Sequence, residues 1–369
     1  MMQITTITLA TLKIPLIRPF ITAVRRTEYV EDVVVMIKTD NGAIGYGSAA
    51  ATPAITGESQ SSIIHIIQTL LAPKLIGQRI DHFNQLLHSI QTTVKKNSSA
   101  KAALDIALHD LFAQYCQLPL YKLLGASSNK IKTCITVSVK DAHLMAEDAK
   151  TFAEQGYEVL KIKVGLNPAE DMERIKAVRS AVGDSIKILI DANQGWDAKS
   201  AVKIIKMLEK QNLAVALVEQ PVKAQDLENL KFVRDAVESS IIADESCFSP
   251  MDALAIAKIH ASDGINIKLM KSGGIYQANA IYHIASSAYL SCMVGCMLES
   301  PIGIAAMASF ALSKPDILFA DLDPIALIKN NPVINGAQLI NNQVVLSDRP
   351  GLGIEGFMEG LTVITEVGR

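Results

Sequence analysis

Eight charged residues stand at spacings that chemistry can use: Lys161, Lys163, Asp191, Glu219, Asp244, Lys268, Asp321 and Asp323. Asp191, Glu219 and Asp244 each close a short apolar run, and three carboxylates converging on one mouth would repel strongly unless a hard cation were bound. Mg²⁺ suits an all-oxygen set and keeps positions open for substrate oxygens. Any one of the three could instead cap a helix, as Asp197 and Asp226 are expected to do. Lys161 and Lys163 sit two apart, so in a strand both point to one side. Facing a helix layer they would be uncompensated buried charges, which makes the barrel mouth the cheaper place. The bland alternative is a strand-end pair snorkelling to solvent.

Lys268 closes a later run, four strands on from Lys163, hence on the opposite wall of an eight-stranded barrel. One amine on each face of a substrate lets a proton leave one side and return to the other, inverting a stereocentre. Lysine is a base only if its pKa falls, and a nearby divalent cation and a second ammonium both push it down. The same cation, with Lys161, would stabilise the enediolate formed when a carboxylate substrate loses its α-proton. Asp321 and Asp323, also two apart, read as a seat for a cationic group of the substrate. For Asp323 the alternative is an N-cap on a helix opened by Pro324.

Positioning these residues requires strands that end side by side. Eight apolar runs supply them: CITVSV (134–139), LKIKV (160–164), ILIDAN (188–193), ALVEQP (216–221), IIADES (241–246), INIKL (265–269), CMVGCM (292–297) and LFADLD (318–323). Helical stretches lie between them, so the pattern predicts a modified TIM barrel, (β/α)7β, whose C-terminal strand tips carry the chemistry. Before it, alternating runs and an Asp40-Asn41-Gly42 turn predict an antiparallel sheet, followed by helices, the longest N-capped by Ser98 or Ser99. The expected division is an α+β capping domain over 1–128, the barrel over 129–345, and a tail over 346–369 returning to the cap.

A chain of 369 residues is too long for one ordinary core. A net charge of −2 gives no electrostatic reason to expect nucleic acid or an anionic membrane as partner. Five cysteines with no C-x-x-C pair read as reduced thiols, and no leader or membrane-length apolar run is evident, so a soluble cytoplasmic protein is expected. None of the seven histidines falls on a strand tip, which disfavours His catalysis and a zinc site. No P-loop, G-x-G-x-x-G or G-x-S-x-G stands in its required context.

Together, KIK (161–163), DANQGW (191–196), VEQP (218–221), ADES (243–246) and INIKLMKSGGI (265–275) resemble the muconate-lactonizing-enzyme subgroup of the enolase superfamily. DLD at 321–323 narrows the resemblance to the dipeptide epimerases, and ITGES (55–59) and PGLGI extend it over essentially the whole chain. It implies one Mg²⁺ per subunit on Asp191, Glu219 and Asp244, with Lys163 and Lys268 as the acid/base pair. Lysine acting with Mg²⁺ is the established pattern of that superfamily. It further implies that Lys161 neutralises the substrate carboxylate and that Asp321 and Asp323 hold the dipeptide's α-ammonium. Thr136, Cys296 and Met297 fall where relatives contact substrate.

The expected reaction is a two-base 1,1-proton transfer at the second residue of L-Ala-L-Xaa dipeptides, in cell-wall peptide metabolism. Arg25, in TAVRRTE, matches an arginine that pairs with the side-chain carboxylate in Glu-selective relatives, which favours L-Ala-D/L-Glu; Arg26 beside it leaves that assignment open. GYGS, with Ser48, departs from the G-x-G-E of many relatives. The expected partners are the dipeptide and further copies of the chain, as a homo-oligomer. A cycloisomerase or an o-succinylbenzoate-synthase-like lyase is the alternative on the same scaffold; its substrates have no ammonium for the DLD pair. A non-catalytic binder would leave the full set of bases and metal ligands without a purpose.

Overall fold

The structure, a computed structural model, describes residues 2–22 and 25–368. Strands β1 (Ile4–Ile21), β2 (Arg26–Thr39) and β3 (Ile44–Ala50) form an antiparallel meander, with the expected Asp40–Gly42 turn joining the last two. The helix Ser98–Tyr115 packs on it with most of its SSAKAALDIALHDL face buried, since runs of alanine let helix and sheet approach closely. Its start departs from expectation. The N-cap is Asn97, whose side chain makes no capping bond, and neither Ser98 nor Ser99 caps. Instead the Glu58 carboxylate accepts from Ser99 N at 2.8 Å and Ala100 N at 3.1 Å, placing a negative charge on the positive end of the helix.

After the short strand β4 (Lys130–Lys132) come eight parallel strands in chain order: β5 (Ile135–Val137), β6 (Val159–Lys163), β7 (Lys187–Asp191), β8 (Val215–Glu219), β9 (Ile241–Ala243), β10 (Gly264–Ile267), β11 (Ser291–Val294) and β12 (Ile317–Ala320). Cys134 N donates to Ala320 O at 2.9 Å, linking the two ends of the curved sheet. The (β/α)7β barrel and its separate antiparallel cap are thus both present. Asp197 and Asp226 cap helices as expected, and Asn167 before Pro168 and Ser249 before Pro250 likewise accept a backbone N–H as N-caps.

Alternation sorts the barrel's interior into two layers. Leu189, Leu217, Ile242 and Met293, with Val159 and Phe319 against them, make an apolar floor. Two residues on along most of the same strands stand the charged side chains of the mouth. Strands β9, β10 and β12 end at Ala243, Ile267 and Ala320, so Asp244, Lys268 and Asp321 stand just beyond the last paired residues.

Strand β13 (Val333–Asn335) pairs with β16 (Ile354–Phe357), and β14 (Gln338–Ile340) and β15 (Gln343–Val345) form a hairpin beside β4. Strand β17 (Leu361–Gly368) lies antiparallel on β1. Cap carboxylates fasten to backbone N–H groups outside the cap. Asp105 accepts from Ile275 N at 2.6 Å, at the start of the helix Ile275–Ser287, and Asp110 from Leu352 N at 2.7 Å. Among the described residues, no helix is long and apolar enough to cross a membrane.

Candidate active site

Lys161 Nζ is fully buried, 2.8 Å from Glu219 Oε2, 2.8 Å from Asp321 Oδ2 and 3.0 Å from Asp191 Oδ2. Lys163 Nζ donates to Asp191 Oδ2 at 2.6 Å, and Lys268 Nζ to Asp244 Oδ2 at 2.6 Å. Strands β6 and β10 lie four apart in the eight, so these two ammonium groups enter one cavity from opposite walls, and both line it. The backbone beside Lys268 must stay bare: a Cβ on Gly295 would sit 2.9 Å from Lys268 Cε.

Asp321 and Asp323 line the same cavity. Asp323 does occupy the N-cap position of the short helix Pro324–Leu327, but its side chain makes no capping bond there. Its Oδ2 accepts from Thr136 N at 2.7 Å instead. Thr136, Cys296 and Met297 also line the cavity, and Cys296 Sγ donates to Asp321 O at 3.1 Å. From the cap come Phe20, Arg25 and Ile55. Arg25 reaches Thr52 Oγ1 at 3.5 Å, whereas Arg26 is exposed and pairs with Glu28 at 3.4 Å. Of the two arginines the sequence left open, Arg25 is the one at the cavity; residues 23–24 of that loop lie outside the described residues.

One oxygen from each of Asp191, Glu219 and Asp244 lies within 4.8 Å of the other two. Glu219 Oε2 and Asp244 Oδ1 are buried and accept no well-formed hydrogen bond, although Lys161 and Lys271 ammonium groups lie 2.8 and 2.7 Å away. Around the cavity six carboxyl groups (191, 219, 244, 245, 321, 323) face four ammonium groups (161, 163, 268, 271), all buried. Even with the Arg25 guanidinium at the cavity counted, the fully ionised site carries a net negative charge, which a divalent cation would offset. The titration directions agree. Burial and the neighbouring Asp191 push Glu219 up to about 8. Asp191 and Asp244 are driven up by burial, yet their lysine partners hold them below the usual carboxylate range. An all-oxygen set with orphaned buried oxygens and this charge excess fits a hard divalent cation.

For Lys268 the fall in pKa expected from the sequence is reversed by these carboxylates. Burial pulls the Lys268 amine down, but Asp244 and Glu219 outweigh it and hold the group above its ordinary value. A cation on the same oxygens would cancel that attraction and restore the downward direction. Asp321 and Asp323 part company: Lys161 and Lys163 overcome burial to hold Asp321 low, while burial and Asp321 push Asp323 up to about 7.

Four participants were missed in the sequence. Lys271 Nζ is buried against Asp244 Oδ1 and Asn266 O (3.0 Å), and Asn266 Nδ2 donates to Glu219 Oε1 at 2.9 Å. Asn193 donates through its backbone to Asp191 Oδ1 at 2.9 Å and through Nδ2 to Glu245 Oε1 at 3.3 Å. Asn266 was findable, because it stands two before Lys268 and shares its face. Asn193 and Glu245 sit on turns past strand ends and Lys271 in the four-residue helix Leu269–Ser272, where strand periodicity says nothing about direction.

Residues 4–125 match the model for the mandelate racemase / muconate lactonizing enzyme N-terminal domain, and residues 144–359 the model described as enolase C-terminal domain-like. The chain is 45% identical over 356 residues to an L-Ala-D/L-Glu epimerase of Clostridium acetobutylicum, covering 96% of this chain and 99% of that one. Its fold is similar to that of a substrate-liganded complex of the L-Ala-D/L-Glu epimerase from Bacillus subtilis (TM-score 0.95, 42% identity, 96% of this chain and 99% of that chain). It is also similar to a dipeptide epimerase from Enterococcus faecalis complexed with Mg and the dipeptide L-Leu-L-Tyr (TM-score 0.92, 39% identity, 96% and 100%).

Proposed function

This chain belongs to the mandelate racemase / muconate lactonizing enzyme family of the enolase superfamily, and on that premise we propose that it is a Mg²⁺-dependent dipeptide epimerase. It would invert the α-carbon of the second residue of L-Ala-L-Xaa dipeptides, L-Ala-L-Glu foremost. The observation that carries the reading is the entry of Lys163 and Lys268 into one cavity from opposite walls, with the Asp321/Asp323 pair lining it too.

Asp191, Glu219 and Asp244 would hold the ion, which when bound supplies positive charge to the substrate carboxylate and makes its α-proton more acidic. The remaining work falls to the chain. One of Lys163 and Lys268, as the neutral amine, takes the α-proton while the C–H electron pair moves into the carboxylate. The other, as the ammonium, gives a proton to the opposite face, so their protonation states exchange with each inversion. Lys161, wedged among three carboxylates, offsets charge developing on the substrate carboxylate. Asp321, with Asp323 held by the Thr136 N–H, would pair with the α-ammonium, which substrates of a cycloisomerase or an o-succinylbenzoate-synthase-like lyase lack. Arg25 would face the glutamate side chain. Cys296 and Met297 would form the wall beside it. The proposal extends to a cytoplasmic homo-oligomer acting on cell-wall-derived peptides. Five free thiols support the first part, and Val363 and Ile364, exposed on edge strand β17, the assembly.

The test is incubation of L-Ala-L-Xaa dipeptides with the protein and Mg²⁺ in D₂O. Deuterium should enter the second α-carbon as optical activity is lost. Absence of both exchange and inversion across the dipeptides would remove the epimerase reading.

A further inference from the structure

The two lysines stand at strand ends, and the chain turns away from each within a few residues. Val164 and Gly165 follow Lys163; the helix Leu269–Ser272, Gly273 and Gly274 follow Lys268. At both turns a fully buried aspartate on a neighbouring helix receives backbone N–H groups of the departing chain. Asp171, on the barrel helix Pro168–Val182, accepts from Gly165 N at 2.9 Å through Oδ2. The same oxygen accepts from Trp196 Nε1 at 2.9 Å, and Arg174 Nη1 donates to Oδ1 at 2.9 Å. Asp105, on the cap helix Ser98–Tyr115, accepts from Ile275 N at 2.6 Å through Oδ1 and from Tyr276 N at 3.3 Å through Oδ2. A second cap side chain joins it: Gln91 Nε2 donates to Gly273 O at 2.7 Å.

The hold on residues 273–276 reaches Lys268 through successive hydrogen bonds. Gly273 N and Gly274 N donate to Leu269 O at 2.9 and 3.0 Å, and Lys271 N and Ser272 N to Lys268 O at 3.1 and 3.0 Å. Asp105 is also pressed against the turn, since a Cβ on Gly274 would lie 2.2 Å from Asp105 Cγ. On the other wall the path is shorter, because Gly165 is two residues from Lys163 and Val164 N donates to Asp191 O at 3.0 Å. Displacing either aspartate would strand buried donors, so each turn is firmly held.

We propose that Asp171 and Asp105 are positioning residues, one for each base. Asp171 fixes Lys163 from within the barrel, and Asp105, aided by Gln91, fixes Lys268 from the cap. Neither carboxylate lines the cavity, so each acts through the lysine it positions. The cap thus sets the aim of one of the two amines. Aim matters, because a misplacement of about 1 Å can cost on the order of 10²-fold in rate. The assignment of one clamp to each face rests on the epimerase reading; the clamps as joints do not.

A two-base reaction gives each face its own readout. Exchange of an epimer's α-proton with solvent needs only the amine on its side, whereas inversion needs both. The test gives Asp105→Ala and Asp171→Ala pure L-Ala-L-Glu and pure L-Ala-D-Glu in D₂O at saturating Mg²⁺. Lys163→Ala and Lys268→Ala identify which epimer each amine serves. Asp105→Ala should slow exchange of the Lys268-side epimer by about tenfold or more and leave the other within about twofold; Asp171→Ala should do the reverse. Inversion should fall in both, with KM within about threefold of wild type. Asp105→Asn, which keeps one acceptor oxygen, should recover part of the loss. If Asp105→Ala does not fold, Gln91→Ala should show the same side preference at smaller size. No slowing, equal slowing of both epimers, or loss on the same side in both variants would overturn the assignment. If wild type exchanges neither epimer, the epimerase reading fails and amide hydrogen exchange judges the clamps. Protection should then drop over 268–276 but not 159–165 in Asp105→Ala, and over 159–165 but not 268–276 in Asp171→Ala. A drop over both stretches, or over neither, would overturn them.

Discussion

Asp323 and Arg25 grip opposite ends of the proposed substrate, and their loss should be felt differently. Asp323→Asn keeps an oxygen for the Thr136 N–H but removes charge from the ammonium seat. KM for L-Ala-L-Glu should rise by about tenfold or more, and the preference over the N-acetylated dipeptide should shrink. Arg25→Ala should raise KM for L-Ala-L-Glu by roughly tenfold while leaving a dipeptide with an apolar second residue within about twofold; competition between the two substrates reads this directly. An equal loss for both would assign Arg25 to loop structure. At this scale the sequence was most legible where two-residue spacing fixed direction, as in Lys161/Lys163 and Asp321/Asp323. Glu245 escaped because it sits where the chain turns, and Lys271 because it lies in a short helix beyond the strand end.

The alternation of strand and helix was readable because each barrel strand is a short apolar run punctuated by Pro, Gly or an N-cap residue. Tertiary partners distant in sequence were not. Glu58 caps a helix 41 residues away, a role that no local pattern could assign, and it displaced the Ser98 or Ser99 cap expected from propensity. Asp110 is the comparable joint between elements: it accepts from Tyr46 N at 2.8 Å on β3 and from Leu352 N at 2.7 Å. Asp110→Ala strands both buried donors, so unfolding free energy should fall by about 2–4 kcal/mol, read by denaturant titration. A change below about 0.5 kcal/mol would mean that water replaces the carboxylate.

Across the whole molecule, the cap is fastened by acids that looked like ordinary helix and strand residues in the sequence; only coordinates show Asp32, Asp105 and Asp110 turned onto backbone donors outside the cap strands or at their margins. The charged mouth binds the barrel walls together, so an ion there should stabilise the fold. Mg²⁺ at about 100 times its Kd should add about 2.7 kcal/mol, and a chelator should lower Tm correspondingly. Asp244→Asn should abolish the Mg²⁺-dependent shift, and persistence of the shift would place the ion elsewhere. The most direct test sets the two walls against each other. Lys163→Ala and Lys268→Ala are each given pure L-Ala-L-Glu and pure L-Ala-D-Glu in D₂O. Each variant should lose inversion by about 10³-fold or more, yet still exchange the α-proton of one epimer, and the two variants should exchange opposite epimers. Exchange of the same epimer by both, or inversion persisting in either, would contradict bases on opposite walls.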